Sequence, residues 1–224
     1  MMAKVPPPAD LPSCAAFIEA ATDIARPPAV PEIRLRLAAD LTALWERIEA
    51  TYGVGRPTPY WAAPWVGGQA LARFLLDRPQ TVANRRAFDF GTGGGQCAIA
   101  AALAGAAAVV ACDSDSMART AAGINAGLNG VAVEIREGDF LGRDLDGFDV
   151  VLAADVWYER YLAERATPWL RRQSALGAMV LVGDMRRAYF PRAGLELLAE
   201  YDIPTSTDTE RLSLTPAGVW RVLP

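Results

Sequence analysis

The segment Phe88-Asp89-Phe90-Gly91-Thr92-Gly93-Gly94-Gly95 constrains this chain more than any other. An apolar run ends on an acid, glycines follow at alternate positions, and a helix-favouring stretch begins near Gln96. Glycine has no Cβ, so such a backbone turns sharply and approaches a ligand without a steric clash. A strand, a turn of this kind and a helix belong together at the carboxyl edge of a parallel sheet, where open α/β folds bind ligands. The helix N-terminus then offers free N–H groups to whatever is bound. A purely structural tight turn is the plainer alternative.

The rest of the chain fits that frame. Strands are predicted at Ala87–Phe90, Ala108–Cys112, Ala132–Arg136, Asp149–Ala153 and Ala178–Val182, with helices at Gln96–Ala104, Ser116–Leu128, Arg160–Arg171 and Ala193–Glu200. Strand–helix alternation of this kind implies a Rossmann-like α/β fold, a mostly parallel sheet with helices on both faces. Tyr201–Pro204 and Val219–Leu223 are expected to close it as a hairpin. Before the sheet, Leu11–Ile24 and Pro31–Tyr52 are predicted helical, the second from Ile33, Leu37, Leu41, Leu44, Trp45 and Ile48. A loop, Arg56–Gly68, and a short helix, Gln69–Leu76, lead into the first strand. The expected division is an N-terminal helical extension, 1–55, and one catalytic domain, 56–224.

Two absences narrow the chemistry. The 224 residues include no His, and Lys4 is the single Lys among 22 basic residues. A His base, a Ser-His or Cys-His pair and a His metal ligand are excluded. A buried Schiff-base lysine has no candidate, and nothing calls for a metal. Cys14, Cys97 and Cys112 form no C-x-x-C pair, and Cys97 and Cys112 read as small core residues. A net charge of -4 without a basic block argues against a nucleic-acid partner. No stretch has the length and apolarity of a membrane span or a signal core, so a cytoplasmic protein is expected.

A second element qualifies the glycine turn. About twenty residues on, the next strand ends at Asp113, followed by Ser114, at the spacing of an acid that bonds both ribose hydroxyls. Adenosine is held this way by nicotinamide enzymes and by methyltransferases. Gly93, Gly95 and Ala98 also satisfy the dinucleotide pattern G-x-G-x-x-A. However, Asp89, Gly91, Gly93 and Gly95 make D-x-G-x-G-x-G, the pattern of S-adenosylmethionine enzymes. A dehydrogenase would also lack its usual catalyst here, whereas methyl transfer needs mainly an aligned nucleophile and exclusion of water.

Two further strand ends carry candidate residues. Asp139 and Phe140 follow the third strand, where an acid can bond the adenine amino group and an apolar side chain can pack on the ring; a solvated turn is the alternative. Asp155, Trp157 and Tyr158 follow the fourth strand. Asp155 is placed to hold a cationic amine, and the two aromatics could wall its approach. Helix capping for Asp155 and core packing for Trp157 are the ordinary alternatives. The fifth strand ends in Asp184-Met185-Arg186-Arg187; exposed Arg pairs are commonly just solvated.

Several segments together resemble the electron transfer flavoprotein β-subunit lysine methyltransferases. They are Pro59-Tyr60-Trp61-Ala62, Trp65-Val66-Gly67-Gly68-Gln69-Ala70-Leu71-Ala72-Arg73, Leu76-Asp77, Asp89–Gly95, Ala111–Asp115, Asp155–Tyr158 and Val182–Asp184, in the same order and spacing from about residue 56 onward. The glycine pattern belongs to a large superfamily; the aromatic segments with D-x-x-Y are more specific. The resemblance implies a seven-stranded fold, S-adenosyl-L-methionine as donor, Trp65 beside its methionine end, and Asp155 and Tyr158 as the lysine-side signature. It implies the β-subunit of electron transfer flavoprotein as the protein partner, with ribosomal proteins as further acceptors for bacterial members. Met185-Arg186-Arg187 replaces a Pro-Gly-Arg-like segment, and residues 1–55 fall outside the resemblance.

The expected activity is therefore protein-lysine N-methylation. Methylation of a small molecule or another protein, and a cofactor-binding module without catalysis, are the alternatives. Intact Asp89, Gly91, Gly93, Gly95 and Asp113 speak against the last.

Overall fold

The computed structural model describes residues 12–206 and 212–224; Lys4 and Leu11 lie outside them. Helix α1, Cys14–Ala21, starts where the Ser13 hydroxyl accepts the Ala16 N–H. It ends sooner than its composition suggests. Thr22 turns extended, and Asp23–Ala25 forms strand β1 against β2, Leu35–Leu37. The expected helix from Pro31 begins only at α2, Leu41–Tyr52, where Asp40 Oδ1 accepts the N–H groups of Thr42 and Ala43 at 2.8 and 3.0 Å. Ile33, Leu35 and Leu37 are buried while Arg34 is exposed and Arg36 half-buried. That is a period of two, the signature of a strand. The helical spacing shared by Ile33, Leu37 and Leu41 is also met by an alternating strand running into a helix. The N-terminal segment is thus a short hairpin between two helices rather than all helix.

A single 3-10 turn at Tyr60–Ala62 precedes α3, Val66–Asp77. The main sheet then builds through β3 (Arg86–Phe90), α4 (Gln96–Leu103), β4 (Ala108–Asp113), α5 (Ser116–Leu128), β5 (Glu134–Glu137), β6 (Val150–Ala154), α6 (Arg160–Ala175), β7 (Met179–Asp184), β8 (Leu195–Ser206) and β9 (Leu212–Val222). Its order is β5-β4-β3-β6-β7-β9-β8. The first five neighbours run parallel; β9 is antiparallel to β7, and β8 to β9. The chain steps outward from β3 to β4 and β5, then returns to the other side of β3 as β6. That reversal opens a crevice at the carboxyl ends of the strands.

The predicted helix at Ala193–Glu200 is a strand instead. Leu195, Glu196 and Leu197 pair with Val222, Arg221 and Trp220, with a bulge between Leu197 and Ala199. Leu, Glu and Ala favour helices, but cross-strand pairing on an existing sheet overrides a propensity of a few tenths of a kcal/mol per residue. The closing hairpin around Tyr201–Pro204 and Val219–Leu223 is present as the β8–β9 pair.

Alternation along the strands divides the core. Ala87, Val109, Ala111, Val150 and Leu152 pack under α3 and α4, while Phe88, Val110, Val151, Ala153 and Val182 pack under α6. Phe17, Ile18, Leu44 and Ile48 of the N-terminal helices join Trp61 and Ala62 against α5. Asn125 of α5 is fully buried; it accepts the Arg36 N–H and donates to the Gly94 carbonyl, each at 2.8 Å. The N-terminal hairpin is thereby tied to the glycine turn.

Candidate functional site

The turn after β3 passes through Gly91, Gly93 and Gly95 with φ of 64°, 53° and 87°. Three left-handed residues at alternate positions are a conformation that side chains disfavour. Asp89 braces the turn from beneath. Its carboxylate accepts the Thr92 hydroxyl at 2.6 Å and the Ala98 N–H at 3.1 Å. Asp89 is fully buried, and burial pushes its carboxyl up to about 7. Gly91 and Gly93 line a cavity of about 590 Å³; Asp89 and Gly95 stand behind it.

Asp113 reaches this turn from the end of β4. Oδ2 accepts the Gly93 N–H and Oδ1 the Asp115 N–H, both at 2.9 Å. Burial raises its carboxyl, and these two amides oppose the rise. A carboxylate has about four acceptor sites, so Asp113 keeps capacity for a diol. Ser114 and Asp115 line the same cavity.

Beyond β5, Asp139 lines the cavity and accepts the Leu141 N–H at 2.9 Å and Arg165 at 2.5 Å. The Arg165 bond holds its carboxyl below the usual range. Phe140 does not face the cavity. It is buried with its ring centroid 5.1 Å from that of Phe88, and Leu141 takes the place expected for it.

The other end of the cavity is built from α3, β6 and β7. Asp155 is buried at a left-handed φ of 54°. Oδ2 accepts the Gly68 N–H at 2.8 Å, and Oδ1 the Gly67 N–H at 3.3 Å. Arg187 donates Nε and Nη2 to Oδ1 at 3.0 and 2.7 Å. Burial raises the Asp155 carboxyl, while the Arg187 charge and these bonds lower it. Trp65 caps the start of α3 and donates its indole N–H to the Tyr60 carbonyl at 2.7 Å. The Tyr60 ring lies 5.6 Å from Trp65 and 5.6 Å from Tyr158, so three aromatics form one wall. Tyr158 is 43% exposed and lines the cavity. Burial, aided by Glu159, pushes its hydroxyl up to about 12, so it stays protonated at neutral pH.

Trp157 is turned away from that wall. It is 1% exposed, donates to the Thr167 hydroxyl at 3.0 Å and packs edge-on to Phe190. Of the residues expected at the site, Trp65, Gly91, Gly93, Asp113, Ser114, Asp139, Asp155 and Tyr158 therefore meet in one cavity. Asp89, Gly95, Phe140 and Trp157 support it from behind. Tyr60 and Arg187 also line it. Tyr60 had no assigned role although it sits in the P-Y-W segment, and the inward turn of Arg187 has no local sequence signal.

Five acids and two arginines line the cavity, a balance suited to a cationic ligand. Among the described residues, no group of three or more Cys, Asp or Glu could hold a metal ion, and no helix is long and apolar enough to cross a membrane. All three cysteines are free, with Cys97 and Cys112 buried.

Comparison with known proteins places these features in a family. The model of the family "Ribosomal protein L11 methyltransferase" matches residues 70–157. The electron transfer flavoprotein β-subunit lysine methyltransferase of Danio rerio is 40% identical over 197 residues, 85% of this chain and 76% of that protein. The protein of the same name from Xenopus laevis is 38% identical over 93% of this chain and 86% of its own length, a match that reaches well into the first 55 residues. Among solved structures, the Pyrococcus abyssi tRNA (uracil-54, C5)-methyltransferase in complex with S-adenosyl-L-homocysteine is 18% identical. It covers 67% of this chain and 38% of that one with a TM-score of 0.50, which shows a shared fold.

Proposed function

The chain belongs to the electron transfer flavoprotein β-subunit lysine methyltransferases, and on that premise we propose that it binds S-adenosylmethionine and methylates lysine of the β-subunit of electron transfer flavoprotein. The observation that carries this reading is the meeting, in one cavity, of Asp113 and the glycine turn with Trp65, Asp155 and Tyr158. The residues fit such a donor. Asp113 has unused acceptor sites for the ribose hydroxyls, Gly91 and Gly93 leave room for close backbone approach, and Asp139 with Leu141 suits the adenine end. The acid-rich lining favours a sulfonium cation. When bound, the donor supplies an electrophilic methyl group: an amine lone pair forms the new N–C bond while the C–S pair stays on sulfur.

On the acceptor side, Trp65, Tyr60 and Tyr158 provide apolar walls for a lysine side chain, whose stem is four methylenes long. They exclude water, which disfavours a charged amine and strengthens alignment with the methyl group. Asp155 orients the end of that passage. Residues 12–55 are read as a brace for the glycine turn through the Arg36 bond to Asn125, serving the catalytic region 56–224.

Intact mass measurement of electron transfer flavoprotein after incubation with this protein and S-adenosylmethionine tests the proposal. Methyl increments on the β-subunit are the expected result. No increment, with cofactor binding demonstrated separately, removes this substrate. A second reading, a ribosomal protein as acceptor, is supported by the family-model match over residues 70–157 and would show as increments on ribosomal proteins in the same assay.

A further inference from the structure

A cation already lies at the acceptor end of the cavity. After β7 ends at Asp184, the chain turns through Arg186, a non-glycine residue at φ 62°. Asp184 Oδ1 accepts the Arg187 backbone N–H at 2.7 Å. The turn sends the Arg187 side chain inward. Two of its N–H groups reach Asp155, and its guanidinium carbon lies 5.5 Å from the centre of the Trp65 ring. Both partners are largely shielded, with side-chain exposures of 20% and 10%.

This arrangement bears on the state of the methyl acceptor. An ammonium has no lone pair and cannot accept a methyl group. A bare buried carboxylate stabilises the ammonium and raises the amine pKa, whereas a fixed cation lowers it. Guanidinium does not release its proton at any working pH, so Arg187 cannot be the base. We propose that Arg187 is a positioning residue that neutralises Asp155, so that an entering lysine is held as the free amine. This rests on the reading that the Asp155 end receives the acceptor. In the step itself, the ammonium proton leaves to solvent, the amine lone pair forms the N–C bond, and the C–S electron pair remains on sulfur as S-adenosylhomocysteine.

The neighbouring groups leave a clear window in which to see this. Asp184, behind Arg187 on β7, is pushed up by burial to about 6 and titrates below the lysine range. Tyr158, at about 12, and Cys97 of α4, raised well above its usual value, titrate above it. Tyr60, Glu159 and Asp113 line the same cavity.

The test compares wild type, Arg187→Gln and Arg187→Lys. Turnover is followed from pH 7 to 10 on purified electron transfer flavoprotein, and equilibrium affinity for that protein is measured with S-adenosylhomocysteine bound. In Arg187→Gln, Asp155 is unpaired and grips the ammonium. At pH 7 affinity should rise several-fold and kcat should fall about tenfold, with the rising limb of kcat displaced about one pH unit to alkaline, a unit being tenfold in the amine fraction. Arg187→Lys keeps the charge and should keep the limb within a few tenths of a unit. A uniform loss of kcat at every pH in Arg187→Gln, with affinity unchanged, overturns the proposal. If Arg187→Gln does not fold, an alkaline displacement in the charge-retaining Arg187→Lys overturns it. Asp155→Asn separates the two readings. Full activity in that variant removes Asp155 from the acceptor site altogether, whereas its inactivity beside an undisplaced Arg187→Gln profile sinks only the role of Arg187.

Discussion

The backbone of Gly67 at the start of α3 lies directly against that of Gly183 in β7, so close that a Cβ on either residue would run into the carbonyl of the other. The same contact presents the Gly67 and Gly68 N–H groups to Asp155. Gly67 is therefore a packing requirement that sets the Asp155 end of the cavity. Gly67→Ala should lower stability by about 2 kcal/mol, within the range for overpacking a filled site. Tm should fall by roughly 4–8 °C for a chain of this size. Calorimetry checks this, and an unchanged Tm would mean that the two elements can separate freely.

Asp113 holds the glycine turn and has acceptor capacity to spare. Asp113→Ala should weaken S-adenosylhomocysteine affinity by roughly 100- to 10,000-fold, from two lost hydrogen bonds to a charged acceptor at about 1.5–3 kcal/mol each. Titration calorimetry reads this directly. Affinity within twofold of wild type would remove the ribose role from Asp113.

Asp89 makes stability depend on pH. Its folded-state value of about 7 lies above its ordinary 3.8, so the folded chain holds this proton more tightly than the unfolded chain does. The resulting stabilisation is complete below about 4 and is lost as pH rises toward about 7. At about 1.4 kcal/mol per pH unit, this amounts to roughly 4 kcal/mol. Urea unfolding should show wild type weaker at pH 8 than at pH 5. Asp89→Asn, which mimics the protonated form and retains an acceptor for Thr92 and Ala98, should flatten that slope. An equal slope in both proteins would place the titration elsewhere.

Tyr60 and Trp157 should separate by readout. Tyr60→Ala opens the aromatic wall beside Trp65 and Tyr158, and should raise KM for the protein acceptor about tenfold with Tm nearly unchanged, because Tyr60 is 46% exposed. Trp157→Phe removes a buried indole and its bond to Thr167, and should lower stability by about 1–3 kcal/mol without raising KM. The reverse pattern would return Trp157 to the wall.

Asp155→Ala carries a structural consequence beyond chemistry. It strips Arg187 and two backbone amides of their partner, and breaking a buried pair from one side costs about 3–5 kcal/mol. Urea unfolding of Asp155→Ala and Asp155→Asn should show the Ala variant distinctly weaker. Equal, near-wild-type stabilities would mean that Asp155 anchors nothing.

The amino-acid sequence by itself determined the parallel sheet, the order of its elements as far as β7, and the acid-glycine turn with Asp113 across from it. These follow from short-range chemistry: period-two and helical burial patterns, and glycines where φ must be positive. Only the tertiary structure decided the rest. The run from Leu195 is a strand because β9 offers it partners, and Leu35–Leu37 because β1 does. Trp157 and Tyr158 are adjacent in the chain, yet one enters the core and the other the cavity. Leu141, one place beyond Phe140, likewise faces the cavity. Arg187 meets Asp155 across 32 positions. Which way a side chain points at a strand end, and what lies opposite it, depends on neighbours that are distant in the chain, and local pattern carries no record of them.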